Sequence, residues 1–264
     1  MNYERNLIVH ADDYGLTQSV SNGIIRAHRE GIVKSTSVLA NMASDEELEI
    51  LAHTPSLDVG IHLTLTKGRS VLPKEEIPYL VDENGYFHKR HSKERPVKKN
   101  GFIDFTSAPE DEILIEFETQ LLKLRNADIE PSHIDTHHHA HSDARIFLAV
   151  LHMAFEHRLA VRSISLEMRE ILRNKEIRTN DNFEGGFFGA KSITLRNLEK
   201  IINELSSGVT ELMCHPGEIS NELREISGYV EEREMELKVL IDPELAKVVK
   251  SSNVRLIGWH EIML

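Results

Sequence analysis

Apolar runs alternate with amphipathic segments along most of the chain. Runs typical of buried strands occupy residues 6–11, 32–40, 57–66, 131–136, 160–166, 209–213 and 253–258. Between them, apolar residues recur at helical spacing, as in Ile113, Phe117, Leu121 and Leu124. A strand followed by a helix, repeated about seven times, predicts a parallel sheet. We therefore expect an α/β fold: a (β/α) barrel, distorted or seven-stranded, with its helices outside.

An open, doubly wound sheet is the alternative at this point. The first apolar run is followed by Asp12-Asp13-Tyr14-Gly15 and not by a glycine-rich turn, which argues against a dinucleotide-binding fold. Helix starts are predicted at Thr17, at Ser44 with Glu47, and at Asp242-Pro243. Another helix is expected to open at residues 107–110, with an early proline.

We expect one domain over residues 1–264, carrying insertions at about 67–105 and 167–193. Residues 167–192 are expected to be irregular. They contain Gly-Gly-Phe-Phe-Gly at 185–189, which is typical of a second active-site loop.

The composition narrows the possible partners. A net charge of −12 argues against a nucleic-acid groove or an anionic membrane surface. The single cysteine, Cys214, excludes an internal disulfide framework and favours a reducing compartment. No apolar run approaches the roughly 20 residues of a transmembrane helix, and the start of the chain does not resemble a secretory signal. We therefore expect a cytoplasmic protein.

Polar residues collect where the predicted strands end. Asp12 and Asp13, His62, His215 and the cluster at 137–141 each follow or close an apolar run. In (β/α) barrels the carboxyl ends of the strands carry the chemistry. The coincidence predicts one site that is assembled from several strands.

The segment 131–141, Pro-Ser-His-Ile-Asp-Thr-His-His-His-Ala-His, holds five histidines and one carboxylate. If the backbone were extended, alternate side chains would share one face and His138 would point away. That face would carry the residues His133, Asp135, His137, His139 and His141. Neutral imidazole is the commonest metal ligand, so a metal site is the favoured interpretation. A solvated histidine-rich loop and a pH-sensitive structural cluster are the alternatives.

One carboxylate and two histidines with open positions are typical of a catalytic metal site. His62 and His137 are the favoured imidazoles, and Asp135 could orient one of them as a neighbouring carboxylate. Because Asp12 and Asp13 are adjacent, one can bind the ion while the other remains free as a base. His215 is the candidate acid for a departing amine or alcohol.

Four segments together resemble the YdjC-like carbohydrate deacetylases, which include the chitooligosaccharide deacetylases. They are residues 7–15, 60–66, 131–141 and 213–217, in the same order and spread over nearly the whole chain. The resemblance implies a barrel-like fold and a metal-dependent hydrolase that removes N-acetyl groups from acetylated amino sugars or chitooligosaccharides, with phosphorylated disaccharides among the expected substrates.

The resemblance also implies roles for individual residues. Asp13, His62 and His137 would bind one divalent cation, Asp12 would be the base and His215 the acid. Residues expected to bind the substrate or support the ligands are His133, Asp135, His139, His141, Arg162 and Phe188. Magnesium is implied by the resemblance, although two imidazoles suit zinc or another transition metal at least as well. A homodimer is a further expectation.

Three other classes compete with this interpretation. A metal-dependent phosphoesterase is the strongest, with Arg162, Arg178 and Lys191 as candidate phosphate-binding cations. A glycosidase would need two carboxylates flanking the bond and no metal. A metal-storing or sugar-binding module is the non-enzymatic alternative.

Overall fold

The computed structural model describes residues 5–88 and 108–263. Its strands are all parallel and form one sheet. They are β1 Arg5–Tyr14, β2 Ser35–Val38, β3 Asp58–Leu63, β4 His133–Thr136, β5 Ala160–Val161, β6 Asn182–Glu184, β7 Gly208–Cys214 and β8 Val254–Leu256. Seven of them follow the order β5-β4-β3-β2-β1-β7-β6, and β8 pairs with β1.

In the described residues an α-helix follows each strand from β1 to β6, and three consecutive helices lie between β7 and β8. They are α1 Gln18–Glu30, α2 Asp45–Ala52, α3 Glu110–Arg125, α4 Ala144–His157, α5 Leu166–Asn174, α6 Leu195–Asn203, α7 Asn221–Ile226, α8 Glu231–Leu240 and α9 Pro243–Ser251. Three predicted starts are confirmed: Thr17 caps α1, Ser44 and Glu47 form a capping box on α2, and Asp242 caps α9 ahead of Pro243. Within these ranges no helix is both long and apolar enough to cross a membrane.

The sheet curls into a distorted (β/α) barrel, as the sequence pattern predicted. The chain just before β6 returns to the edge strand β5, where Val161 and Thr179 form a single parallel bridge. One edge of β1 pairs with two strands: its first residues pair with β8 and its last residues pair with β2. The opposite edge of β1 pairs with β7.

Strand β1 shows how the barrel positions chemistry. Leu7, Val9 and Ala11 pack in the large core between sheet and helices. Ile8 belongs to a separate small cluster with Trp259. Because side chains alternate along a strand, His10 and Asp12 lie on the same face as Ile8. The interior therefore changes from apolar to charged as β1 runs towards its carboxyl end.

Several sequence-based expectations are corrected. Residues 167–192 are not irregular, because they contain most of α5 and all of β6. Pro109 occupies the N-cap of α3 and provides no side-chain cap. The expected start at Ser107 lies outside the described ranges, as do residues 89–106.

Candidate active site

The end of β1 is distorted so that two consecutive aspartates both reach the barrel mouth. The pairing register with β2 shifts between Ala11 and Tyr14. Asp13 has a φ of 74°, in the left-handed region that a residue with a side chain seldom adopts. Backbone strain of this kind costs roughly 1–3 kcal/mol and is characteristic of functional sites. Both aspartates are 3% exposed, so the strain places two carboxylates in a buried environment.

Three of the predicted residues converge on one point. The Oδ1 atom of Asp13 lies 2.9 Å from Nδ1 of His137 and 3.3 Å from Nε2 of His62. The three donor atoms all lie within 4.8 Å of one another. Ligand atoms about 2.0–2.2 Å from one ion, at angles near 90–110°, are separated by roughly 3–3.5 Å. The donor set therefore fits a divalent cation in chemistry and in spacing.

The Nδ1 atom of His62, on the side of the ring away from Asp13, contacts the carboxylate of Asp135. This nitrogen lies 2.7 Å from Oδ1 of Asp135, and the Ser37 hydroxyl donates to Oδ2 of the same residue at 2.9 Å. Burial alone would lower the pKa of His62, but Asp135 and Asp13 raise that pKa to about 10. The surroundings thus favour positive charge at this ring, which a proton or a metal ion can supply.

Asp12 is held by a buried arginine. Both of its carboxylate oxygens accept hydrogen bonds from Arg162, at 2.9 and 2.7 Å. The guanidinium also donates to Glu211 at 2.8 Å and lies 2.9 Å from Asp135. Burial would raise the pKa of Asp12, but the charge and hydrogen bonds of Arg162 hold the pKa below its ordinary value. Asp12 is consequently ionised and fixed in direction.

His215 directly follows strand β7, and its side chain lies close to that of Asp12. Its Nε2 lies 3.8 Å from Oδ2 of Asp12, and its backbone N–H donates to the buried carboxylate of Glu236. Burial lowers the pKa of His215 to about 4, so the ring is neutral near pH 7. The edges of Phe188 and Tyr229 pack on it with ring centroids 5.5 and 5.7 Å away.

These groups open into one cavity of about 680 Å³. Its walls include the acidic pair, the histidines and an aromatic side: Asp12, Asp13, His62, His137, His138, His139, Phe183, Phe188, His215, Tyr229 and Arg233. Phe188 lies parallel to Tyr229 at 4.5 Å and is 50% exposed, so one face of its ring remains available.

The histidine cluster does not form the single face that an extended chain would give. Strand β4 stops at Thr136, and His137–Ser142 is a 3₁₀ segment. His138 and His139 have φ values of 58° and 50°, which turns the chain back on itself. As a result His138, expected to point away, lines the cavity beside His139. Because of this turn, His137 faces the other two candidate metal ligands, while His138 and His139 line the cavity.

Other predicted residues lie behind the cavity wall. His133 stacks on Trp259 with ring centroids 4.7 Å apart, and His141 is buried against the Thr136 hydroxyl. Arg162 directly follows β5 and does not lie within it; its role is the ion pair with Asp12. Within the described residues, these three side chains support the site and do not line its opening.

Sequence reasoning missed several groups that organise the site. Arg233 of α8 donates to Oδ2 of Asp13 at 2.6 Å, and nothing in its Glu-rich surroundings signalled this. Glu211 could have been noticed as a charge inside the apolar strand β7. Ser37 is one of the hydroxyl residues of β2. Tyr229 and Glu236, which hydrogen-bond to each other, had no recognisable pattern.

Fold and site together define a class: a distorted (β/α) barrel with a carboxylate–imidazole cluster in an open cavity. The family model described as YdjC-like protein matches residues 6–251. A carbohydrate deacetylase from Thermoanaerobacter pseudethanolicus is 36% identical over 255 residues, covering 96% of this chain and 97% of that protein. The chain therefore belongs to the YdjC-like family, as its motifs predicted.

Solved structures agree with this assignment. A candidate cellobiose-phosphate cleavage protein from Enterococcus faecalis superposes with a TM-score of 0.87 at 30% identity, covering 98% of this chain and all of that one (100%). A family 4 carbohydrate esterase from Streptomyces lividans, in complex with acetate, gives a TM-score of 0.51 at 12% identity over 97% of this chain and 92% of that one. The second likeness is one of fold alone.

Proposed function

We propose that this chain is a metal-dependent carbohydrate deacetylase. It removes N-acetyl groups from acetylated amino sugars or chitooligosaccharides, including phosphorylated disaccharides, and releases acetate. The observation that carries the proposal is the convergence of Asp13, His62 and His137 beside two further groups, Asp12 and His215, in one open cavity. The curated relative named above, a carbohydrate deacetylase, supports the carbohydrate substrate class.

The three ligands would hold one divalent cation, whose chemistry is to polarise the acetyl carbonyl and stabilise negative charge on its oxygen. Magnesium is implied by the family resemblance. Two imidazole nitrogens and one carboxylate oxygen suit zinc or another transition metal at least as well.

Asp12 takes the proton of the attacking water in this proposal. The fork of Arg162 keeps the carboxylate ionised and directs it, because both oxygens are bonded to fixed donors. The same pairing lowers the basicity of Asp12. That loss is offset if the attacking water is itself acidified by the neighbouring cation.

His215 delivers a proton to the departing nitrogen. Its lowered pKa of about 4 means that the ring gives up an acquired proton readily. Nε2 lies 3.8 Å from Oδ2 of Asp12, so a proton taken by Asp12 has a short path to the ring. The two groups then form one relay around the scissile amide bond.

The aromatic side of the cavity supplies a surface for the sugar. The free face of Phe188 is backed by the parallel ring of Tyr229, whose hydroxyl accepts from the backbone N–H of Gly189 at 3.1 Å. A pyranose ring has an apolar face that packs on such a surface. The sugar would thus bind beside His215 with its acetyl group directed towards the ligand cluster.

The phosphoesterase alternative loses its candidate cations. Arg162 is fully buried and occupied by Asp12 and Glu211. Arg178 lines a different cavity, and Lys191 does not line this one. None of these three candidate cations is therefore placed to bind a phosphate ester in this cavity, whose lining includes Lys67 and Arg233 instead.

The test is an acetate-release screen over N-acetylglucosamine, chitobiose and their 6-phosphates. Metal-stripped protein is reconstituted with defined divalent metals, and phosphate release from the same substrates is followed in parallel. Metal-dependent acetate release is expected. Phosphate release without acetate, or activity that is unaffected by chelation, would contradict the proposal.

A further inference from the structure

Arg233 reaches the candidate metal site from outside the strand ends. It lies in the first turns of α8, is 3% exposed, and donates from Nη2 to Oδ2 of Asp13 at 2.6 Å. Its Nε donates to the carbonyl oxygen of Tyr229 at 3.2 Å. A Cβ added at Gly217 would lie 3.2 Å from its Cδ, so the backbone there lies close against the alkyl part. The guanidinium is fixed from two sides.

The two oxygens of Asp13 therefore have different partners. Oδ1 faces the imidazoles of His137 and His62, at 2.9 and 3.3 Å, whereas Oδ2 is occupied by Arg233. A carboxylate can bind a cation through one oxygen or through both. With Oδ2 held towards the guanidinium, Oδ1 is the oxygen that faces both imidazoles and is placed to bind the ion.

We propose that Arg233 is a positioning residue that restricts Asp13 to one-oxygen ligation. It thereby keeps a coordination position open for water or the acetyl oxygen, and its charge weakens metal binding. The inference rests on the proposed metal-dependent function and deepens it. A cation held by fewer donors is the stronger Lewis acid, which is the property that carbonyl hydrolysis requires.

Stability alone does not account for this arrangement. A buried ion pair is weak evidence for stability, because desolvation offsets most of the attraction. Among the described residues, Nη1 of Arg233 is also buried and has no hydrogen-bond partner, which adds to the cost. A positive charge beside a cation-binding carboxylate further opposes the metal. Such a residue is more easily understood as tuning the ligand.

The test measures metal affinity and turnover separately. Metal-free wild type and Arg233→Met are titrated with Mn²⁺ by equilibrium dialysis, and acetate release is then measured at saturating Mn²⁺. The variant should bind Mn²⁺ about tenfold more tightly, because a repulsive charge is removed and Asp13 gains a second ligating oxygen. Its kcat should nevertheless fall roughly 10- to 100-fold, the usual cost in activity of losing a group that orients a metal ligand.

Two further variants control the experiment. Arg224→Met removes an exposed arginine of α7, whose side chain is 49% exposed, and should change neither quantity. Arg233→Lys keeps the charge without the fork; its Mn²⁺ affinity should stay near that of wild type. If Arg233→Met does not fold, the Mn²⁺ affinity of Arg233→Lys alone tests the inference.

A merely structural tether predicts the opposite sign. If Arg233→Met binds Mn²⁺ more weakly or with unchanged affinity, or if Arg233→Lys loses tenfold in affinity, the inference is wrong. If wild type binds Mn²⁺ but releases no acetate from any substrate, the proposed function fails, while the affinity comparison still decides the role of Arg233.

Discussion

Two cavities of nearly equal volume lie at opposite ends of the barrel, yet they differ in how deeply their charged groups are buried and in whether they contain imidazoles. The cavity at the carboxyl ends of the strands measures about 680 Å³ and the one at the amino ends about 650 Å³. The first contains buried carboxylates and imidazoles, together with three residues of positive φ, Asp13, His138 and His139. Its charges point at one another across the opening.

In the cavity at the amino ends of the strands, two arginines form ion pairs with carboxylates at the protein surface. Arg173 pairs with Asp181 and Arg255 with Glu261, and both arginine side chains are more than half exposed, at 51% and 56%. Exposed ion pairs contribute little free energy. The comparison teaches that cavity volume does not identify the site. Burial of several ionisable groups around one point does.

The largest expected effect is the loss of a ligand at the carboxyl end. His137→Ala should abolish measurable metal binding and reduce turnover roughly 10³-fold, since a metal ion contributes several kcal/mol of transition-state stabilisation. Metal content by mass spectrometry and acetate release measure both. Arg178→Ala, in the opposite cavity, is the matched control and should leave both unchanged. If both variants lost metal and turnover to the same extent, the site could not be assigned to the cavity at the carboxyl ends.

The second effect separates the two neighbouring aspartates. Asp12→Asn should lower turnover by roughly 10²–10⁴-fold, the usual contribution of a general base, and leave metal content intact. Acetate release and metal analysis on the same preparation check this. A variant with near-normal turnover would exclude Asp12 as the base. A variant that loses the metal would show that Asp12 and Asp13 act as one unit.

The third effect concerns pH and stability. Burial lowers the pKa of His133 well below 6.5 and that of His141 to about 3. Both rings stay neutral in the folded chain, so their contribution is complete above pH 6.5. It falls with pH below that value, because only the unfolded chain takes up protons there. The loss is roughly 1.4 kcal/mol per pH unit and per histidine.

Urea denaturation between pH 6.5 and 5.0 measures this loss. Carboxylates whose folded pKa stays at or below its ordinary value contribute little in that window, since their unfolded pKa values lie near 4. Burial raises the pKa of Glu236 to about 8, so its contribution has the opposite sign and is the same in wild type and variant. His141→Gln removes one of the two groups and should reduce the slope of unfolding free energy against pH by about one proton. Identical slopes for wild type and variant would mean that His141 is protonated in the folded chain.

The smallest expected effect concerns the aromatic side of the cavity. Phe188→Ala should raise KM about threefold to tenfold with kcat nearly unchanged, because a stacked ring contributes roughly 0.5–1.5 kcal/mol to binding. Phe155→Ala, 71% exposed on the outer face of α4, is the matched control and should leave KM as it is. A fall in kcat without a change in KM would place Phe188 in the chemical step.

Much of the fold was available from local patterns. Alternating apolar runs predicted the parallel strands, and the capping signals at Thr17, Ser44 and Asp242 marked real helix starts. The prediction failed for residues 167–192. Strand β6 is short and only half-buried, so it lacks the apolar run by which the others were recognised. An edge strand of three residues leaves almost no pattern.

The sequence by itself determined which residue types stand at the strand ends, because strand periodicity and the order of the motifs are local properties. It therefore predicted His62, His137 and one of the two adjacent aspartates as a group, and the family resemblance implied that the aspartate is Asp13. Only the tertiary structure decided that the chain turns back at His138, that Arg162 holds Asp12, and that Arg233 occupies one oxygen of Asp13. Those contacts join residues up to 220 positions apart, and helix α8 shows no local signal of the partner that folding gives it.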